Sequence, residues 1–174
     1  MNQINISEYT IIHDVPPPLP VGSRCAIDTE WTNMDKKKLH RPTGEFACAT
    51  FYFGTNEVYI VEDVRRLAEA FQNIEKAGWI FHNAKFDIFH LRRLLVIPQR
   101  RLLWDIMLVE QVRYNGRYEE FNLAALYRRY CNGFMDKETR KEFAEWSGEM
   151  SHEQVNYACS DTIATYEIFQ VQRS

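Results

Sequence analysis

Apolar residues in this chain fall into short runs separated by polar, glycine- or proline-marked breaks, and the runs alternate between strand and helix periodicity. Tyr9 to Asp14 reads as a short strand, closed by the stiff segment Pro16-Pro17-Pro18-Leu19-Pro20. Cys25–Trp31 forms a second strand, followed by a polar loop, Thr32–Gly44, that carries a run of lysines. Phe46–Phe53 and Glu57–Val61, separated by Gly54-Thr55-Asn56, read as a hairpin. Asp63 is placed to cap a helix reaching about Lys76, with Val64, Leu67, Ala68 and Phe71 on its apolar face. Gly78 ends that helix, and Trp79-Ile80-Phe81 follows as a buried strand. Asn83 is then read as the cap of a helix to about Leu95, with Pro98 beyond it. Leu102-Leu103-Trp104 reads as another strand, and Asp105 as the cap of the helix after it. Further helices are expected at Asn122–Cys131 and Ser151–Phe169, the last opening on a capping box formed by Ser151 and Gln154. Strands first, then alternating helices and strands, predict an α/β fold in which a mixed central sheet is flanked by helices. One domain is expected over residues 1–174, with 1–20 as an N-terminal strand and proline-rich lead-in.

Composition narrows the classes. A chain of 174 residues that is 45% hydrophobic and 14% aromatic has enough apolar surface for one sizeable core and is not a disordered segment. No stretch approaches the roughly 20 apolar residues of a membrane span, and Met1 to Ile12 lacks the basic-then-apolar order of a signal peptide. Cys25, Cys48, Cys131 and Cys159 are widely spaced, so they predict neither a zinc knuckle nor a disulfide framework. Reduced core cysteines in an intracellular, cytoplasmic protein with no membrane partner are expected. The net charge of -3 does not exclude a nucleic-acid partner. Were four of the 24 acidic residues to hold two divalent cations, the remaining acids would fall just below the 21 Lys and Arg. Basic pairs and runs at Lys36-Lys37-Lys38, Arg92-Arg93, Arg100-Arg101, Arg128-Arg129 and Arg140-Lys141 offer local attraction for phosphates or simply solvated faces.

Three segments carry chemistry. Asp28 and Glu30 lie two apart at the end of a strand, so their carboxylates share one face roughly 6–7 Å apart. Buried together without a cation they would repel, and hard divalent ions such as Mg²⁺ and Mn²⁺ are their natural partners. In Asn83-Ala84-Lys85-Phe86-Asp87, residues 83 and 87 share one helical face just after a buried strand. A first-turn acid favoured by the helix dipole is the plain reading of Asp87 taken alone. In Tyr157-Ala158-Cys159-Ser160-Asp161 the same spacing places a tyrosine beside an acid in mid-helix, where Asp is a poor helix former and gains from a partner or metal. His82 has no second histidine at ligand spacing and reads as a packed or hydrogen-bonded residue.

Taken in order, Asp-x-Glu on a strand, Asn-x-x-x-Asp at a strand–helix junction and Tyr-x-x-x-Asp in a C-terminal helix resemble the three-motif signature of the DEDDy 3′–5′ exonucleases of the DnaQ-like superfamily. These include proofreading domains of family A DNA polymerases and the RNase D group. The run from Phe121-Asn122-Leu123 through Asp136-Lys137 to Asn156-Tyr157 is similar to the segment before the third motif in those proteins, and the resemblance extends from Tyr9 to Phe169.

This resemblance implies a ribonuclease H-like fold and hydrolysis assisted by two divalent metal ions, Mg²⁺ or Mn²⁺. Asp28 would bridge both ions, Glu30 and Asp161 would complete the site beside the attacking water, and Asp87 would anchor the second ion. Tyr157, with an ordinary phenol pKa of about 10, would orient that water. Thr29, Trp31, Met34 and Asn83 are the expected substrate contacts, although Trp31 suits the core equally well and Asn83 a helix cap. The implied partner is nucleic acid with a free 3′ end, cut to 5′-mononucleotides. Single-stranded DNA is favoured by the Asn-x-Lys-Phe-Asp form of the second motif, which points to proofreading or repair beside a polymerase or other replication protein. The alternative is an RNase D-like exoribonuclease trimming RNA. A catalytically inactive nucleic-acid-binding module is a third class, opposed by the presence of all four acids and the tyrosine.

Overall fold

The computed structural model describes residues 2–32, 44–98, 103–114, 116–135 and 148–174. Met34, the lysines at 36–38 and the basic residues at 100–101 and 140–141 lie outside them. Six strands form one mixed sheet in the order β2-β5-β4-β3-β6-β7. Its members are β2 (Thr10–Ile12), β3 (Arg24–Thr32), β4 (Glu45–Tyr52), β5 (Glu57–Val61), β6 (Gly78–Phe81) and β7 (Leu103–Asp105). The β3–β4–β5 meander is antiparallel, whereas β2 joins β5, β6 joins β3 and β7 joins β6 in parallel. This is the mixed sheet that the order of runs predicts. The hairpin turn requires Gly54: its φ is +85°, and a Cβ there would stand 2.7 Å from the Tyr166 hydroxyl.

Strand alternation sorts the core into two layers. Cys25, Ile27 and Trp31 of β3 pack with Phe51, Trp79 and Phe81 against α1 (Leu67–Asn73) and α2 (Ala84–Leu91). On the opposite face, Ala26, Cys48, Tyr52, Ile60 and Ile80 pack against three further helices. These are α3 (Ile106–Arg113), α4 (Leu123–Cys131) and α5 (His152–Arg173). The long α5 opens on the expected capping box, with both the Ser151 and Gln154 side chains engaged. Among the described residues, no helix is long and apolar enough to cross a membrane.

Two differences from the sequence expectation have clear causes. The helix expected from Asp63 to Lys76 is a 3-10 turn, Val64–Arg66, followed by the short α1. It stops at Asn73 because the carbonyl there accepts the Leu19 N–H at 2.8 Å, while the Asn73 amide donates to Pro16 O. The proline-rich lead-in thus ends α1. A two-stranded parallel pair between β1 (Asn2–Gln3) and β8 (Gly133–Phe134) was also not expected, being too short to show a period.

α3 and α4 are joined by a buried ion pair. Glu110, 0% exposed, accepts from the Arg129 guanidinium and the Tyr130 hydroxyl, and Arg129 lies 3.8 Å over the Tyr118 ring. Arg129→Ala should destabilise the fold by about 3–5 kcal/mol, because it strands a buried carboxylate. Urea denaturation measures this, and a loss near zero would mean that Glu110 finds water instead.

Candidate active site

β3 outruns its parallel neighbour. β6 pairs with it only from Arg24 to Ala26, so the residues beyond, through Thr32, lose ladder partners on that side. On the other side β4 stays paired, but the register slips between Glu30 and Trp31, leaving Ala47 as an extra residue. Such bulges bend a strand and re-aim its side chains. The carboxylates of Asp28 and Glu30 therefore project from a strand end toward α5, across from Thr50 and Cys48 on β4.

α5 supplies the third acid. Carboxylate oxygens of Asp28, Glu30 and Asp161 all lie within 4.8 Å of one another, and each residue is partly exposed. The helix is held at that distance by Thr162, whose hydroxyl bonds that of Thr50 and donates to Ala158 O at 3.1 Å. Tyr157, one turn before Asp161, hydrogen-bonds the Asp161 carboxylate. Burial, then the nearby charges of Asp161, Glu30 and Asp28, push its phenol well above the ordinary range, so Tyr157 stays neutral. Below the cluster, burial and the Glu30 and Asp28 charges raise the Cys48 thiol, which stays protonated.

Asp87 approaches from the other face of the sheet and is not part of the 4.8 Å group. It is 2% exposed, and its Oδ1 accepts from the Thr29 N–H at 3.1 Å and the Thr29 hydroxyl at 2.6 Å. It thereby satisfies a backbone donor that β6 leaves unpaired. The Thr29 hydroxyl in turn accepts from the Trp31 indole at 2.9 Å. Trp31 is 3% exposed, edge-on to Phe46 and covered by Arg93, so its ring belongs to the core and has no open face for a base. The Thr29 side chain is equally committed to the interior.

Asn83 sits at the start of α2 in the left-handed region, φ 64°, and its side chain makes no cap hydrogen bond, contrary to the cap expectation. The cap comes from Asp105, twenty-two residues on, whose carboxylate accepts from the N–H groups of Asn83 and Ala84. The same carboxylate caps α3 through Met107 and Leu108. One buried acid thus fixes two helix starts, and the expected N-cap role of Asp105 is only half of what it does. His82 bonds Phe121 O at 2.9 Å, a structural contact as expected.

Desolvation raises the Asp87 carboxyl to about 7, opposed by the Thr29 hydrogen bonds and reinforced by the Asp105 charge. The folded protein therefore holds this proton more tightly than the unfolded chain does. In the absence of metal, the stability that Asp87 contributes should be fully present below the ordinary carboxylate range and be lost as pH rises from there through about 7. Asp87→Asn keeps an acceptor for Thr29 and cannot ionise. In EDTA it should match the parent near pH 4 and exceed it by a few kcal/mol at pH 8. Urea denaturation at the two pH values tests this, and a gap independent of pH would mean that Asp87 ionises normally in the folded state.

Three clustered carboxylates offer only hard oxygen donors, and their mutual repulsion is relieved by a cation, so the residues fit a divalent metal such as Mg²⁺ or Mn²⁺. A strand-end acid pair completed by a helix-borne acid and tyrosine, on a ribonuclease H-like sheet, defines a phosphodiester-cleaving nuclease. A family model described as 3′-5′ exonuclease matches residues 19–171, and the chain belongs to that family of hydrolytic nucleases. Comparison with curated proteins found no match. Among solved structures, Brucella melitensis NrnC bound to pGG is similar with a TM-score of 0.73 at 18% identity, covering 95% of this chain and 80% of that one. The same protein matches in a form with bound Mg²⁺. The EXO domain of Aedes aegypti Nibbler matches with a TM-score of 0.68 at 18% identity, over 87% of this chain and 78% of that one. Trypanosoma brucei RNase D in complex with RNA U12 matches with a TM-score of 0.68 at 11% identity, over 87% of this chain and 56% of its own.

Proposed function

We propose that this protein is a 3′–5′ exoribonuclease that removes 5′-mononucleotides from short or single-stranded RNA, using two divalent metal ions. The observation that carries the hydrolytic reading is the convergence of Asp161 and Tyr157 from α5 on Asp28 and Glu30 from β3. Asp28, Glu30 and Asp161 would hold one ion, and Asp87, together with Asp28, would hold the second. Bound ions of this kind supply charge stabilisation for the phosphoryl oxygens and lower the pKa of a water molecule. The protein's own groups do the rest. Tyr157 donates its hydrogen bond at the Asp161 side and orients the water, Thr29 fixes the Asp87 carboxylate, and Asp105 fixes the α2 start that carries Asp87.

RNA is preferred here to the DNA-proofreading reading because one similar structure holds RNA U12 and another holds pGG. The Asn-x-Lys-Phe-Asp form of the second motif is the counterweight toward DNA. Its lysine, Lys85, is an exposed residue of α2, whose contacts with a strand need not distinguish the two sugars. The test is incubation of 5′-labelled RNA, single-stranded DNA and mismatched duplex DNA with Mg²⁺ or Mn²⁺, beside an Asp28→Asn control. Stepwise shortening from the 3′ end is expected, faster on RNA. Faster shortening of DNA, especially at mismatched ends, would return the protein to the proofreading class.

A further inference from the structure

The strand that presents the acids has a second face. Alternation along β3 turns Asp28 and Glu30 toward α5 and turns Thr29 and Trp31 the other way, onto α2. On that face three buried side chains form one chain of hydrogen bonds. The Trp31 indole N–H donates to the Thr29 hydroxyl at 2.9 Å, and that hydroxyl donates to Asp87 Oδ1 at 2.6 Å. The direction is forced. An indole N–H can only donate, so it takes a lone pair of the hydroxyl and leaves the single hydroxyl hydrogen for Asp87. Consecutive bonds in such a chain polarise and strengthen one another.

The Trp31 ring is itself held by the helix that carries Asp87. The His90 ring lies 5.0 Å from it between centroids, the Arg93 guanidinium lies 5.8 Å over it, and Phe46 of β4 meets it edge-on. His90 stands about one turn beyond Asp87, with its Nδ1 bonded to Phe86 O at 2.9 Å. The indole thus ties β3 to α2 twice, by its ring against His90 and by its N–H through Thr29. A phenyl ring would fill the same apolar site without needing an acceptor, so packing alone does not call for the N–H. We propose that Trp31 is a positioning residue for hydrolysis: through the Thr29 hydroxyl its N–H sets the orientation of the Asp87 carboxylate, and thereby the affinity for the second ion. Hydrogen-bonded supports of metal ligands are worth about 10–100-fold in metal affinity. Trp31 serves the site from the core, and not as the substrate contact expected from its place beside Glu30. The inference rests on the proposed two-ion site and adds a support that touches neither metal nor RNA.

Two readouts independent of hydrolysis test it. Among the indole signals of the four tryptophans in ¹⁵N-labelled protein, that of Trp31 would be assigned by through-space contacts to the Phe46 ring. In the metal-free protein this signal should shift in Thr29→Val and in Asp87→Asn, and it should shift in the parent as Mg²⁺ is added. Mn²⁺ binding without substrate would be titrated by EPR, which reads the free ion. Trp31→Phe should weaken one of two bound ions about tenfold. Thr29→Val should do at least as much, whereas Thr29→Ser, which keeps the hydroxyl, should behave as the parent. In the Thr29→Val background, Trp31→Phe should cause no further loss, because the two changes break one relay. In RNA hydrolysis Trp31→Phe should lower kcat with KM unchanged, and raised Mn²⁺ should restore the rate. Should Trp31→Phe not fold, the Thr29 pair and the indole signal carry the same test. An indole signal that ignores Asp87→Asn overturns the relay, as does Mn²⁺ affinity that is equal in the parent, Trp31→Phe and Thr29→Val. In either case an enzyme that still shortens RNA keeps its nuclease function. Linked indole shifts and weakened Mn²⁺ binding, in a parent that shortens no RNA, support the relay and sink the exonuclease reading.

Discussion

Asp28→Asn should reduce hydrolysis by about a thousandfold or more while leaving the protein folded. Asp28 shares the strand face with Glu30, and the carboxylates of Asp28, Glu30 and Asp161 all lie within 4.8 Å of one another. In the proposed arrangement Asp28 is the one ligand common to both ions, so its loss weakens the charge stabilisation of the attacking and the leaving oxygen together. Metal ions at such sites contribute several kcal/mol, and about 4 kcal/mol corresponds to a thousandfold in rate. The same change has the opposite effect on the metal-free fold. Removing one of three mutually repelling carboxylates eases the repulsion, so in EDTA the variant should unfold at the parent's temperature or slightly above it. Added Mn²⁺ should raise the unfolding temperature of the parent, since a ligand that binds only the native state stabilises it, and should do little for Asp28→Asn. Thermal unfolding with and without Mn²⁺, beside the rate measurement, distinguishes a lost metal site from a damaged fold. Full Mn²⁺ stabilisation of an inactive variant would mean that Asp28 acts on the substrate and not on the metal.

How much of this was legible in sequence depended on how local the determinants are. The α5 capping box lies within four consecutive residues and needs no tertiary partner, so Ser151 and Gln154 announced it. Asp161 stood out because a carboxylate in mid-helix among small and apolar neighbours has no local reason to be there. Asp28 and Glu30 were readable because the strand period alone puts them on one face. Asn83 misled because Asn before an apolar helical run is the ordinary sign of a cap, whereas the carboxylate that answers those N–H groups arrives from β7. The end of α1 was hidden for the same reason, since the Leu19 N–H that takes the Asn73 carbonyl belongs to a distant segment. Trp31 was ambiguous because alternation gives its face but not what covers it. The cavity beside Tyr157 had no sequence signal at all. It exists only because two residues at the N-terminus pair with two after α4, and strands of that length leave no periodic trace.

Tyr157→Phe separates orientation of the water from assembly of the site. The substitution removes one hydroxyl and keeps the ring, which lies on the α5 face lining both the cluster and the cavity. Asp161 loses a hydrogen-bond donor but remains anchored by its helix, whose Thr162 contact to β4 is untouched. Metal affinity should therefore change little, and the Mn²⁺-induced rise in unfolding temperature should persist. The rate should fall about a hundredfold, the low end of what a positioned proton-handling group contributes. The fall should appear in kcat and not in KM, because in the proposed mechanism the hydroxyl acts on the water and not on the bound strand. The neutral phenol also limits what the variant can do to the pH profile. Burial and three surrounding carboxylates hold Tyr157 protonated, so its removal should lower the rate by the same factor across neutral pH and delete no ionisation from the curve. A loss confined to one limb of the profile would instead make Tyr157 the proton acceptor, and an unchanged rate would remove it from the reaction. The contrast with Asp28→Asn is the useful one: two residues that touch the same cluster, one proposed to hold metal charge and one proposed to orient the water, should fail in different measurements.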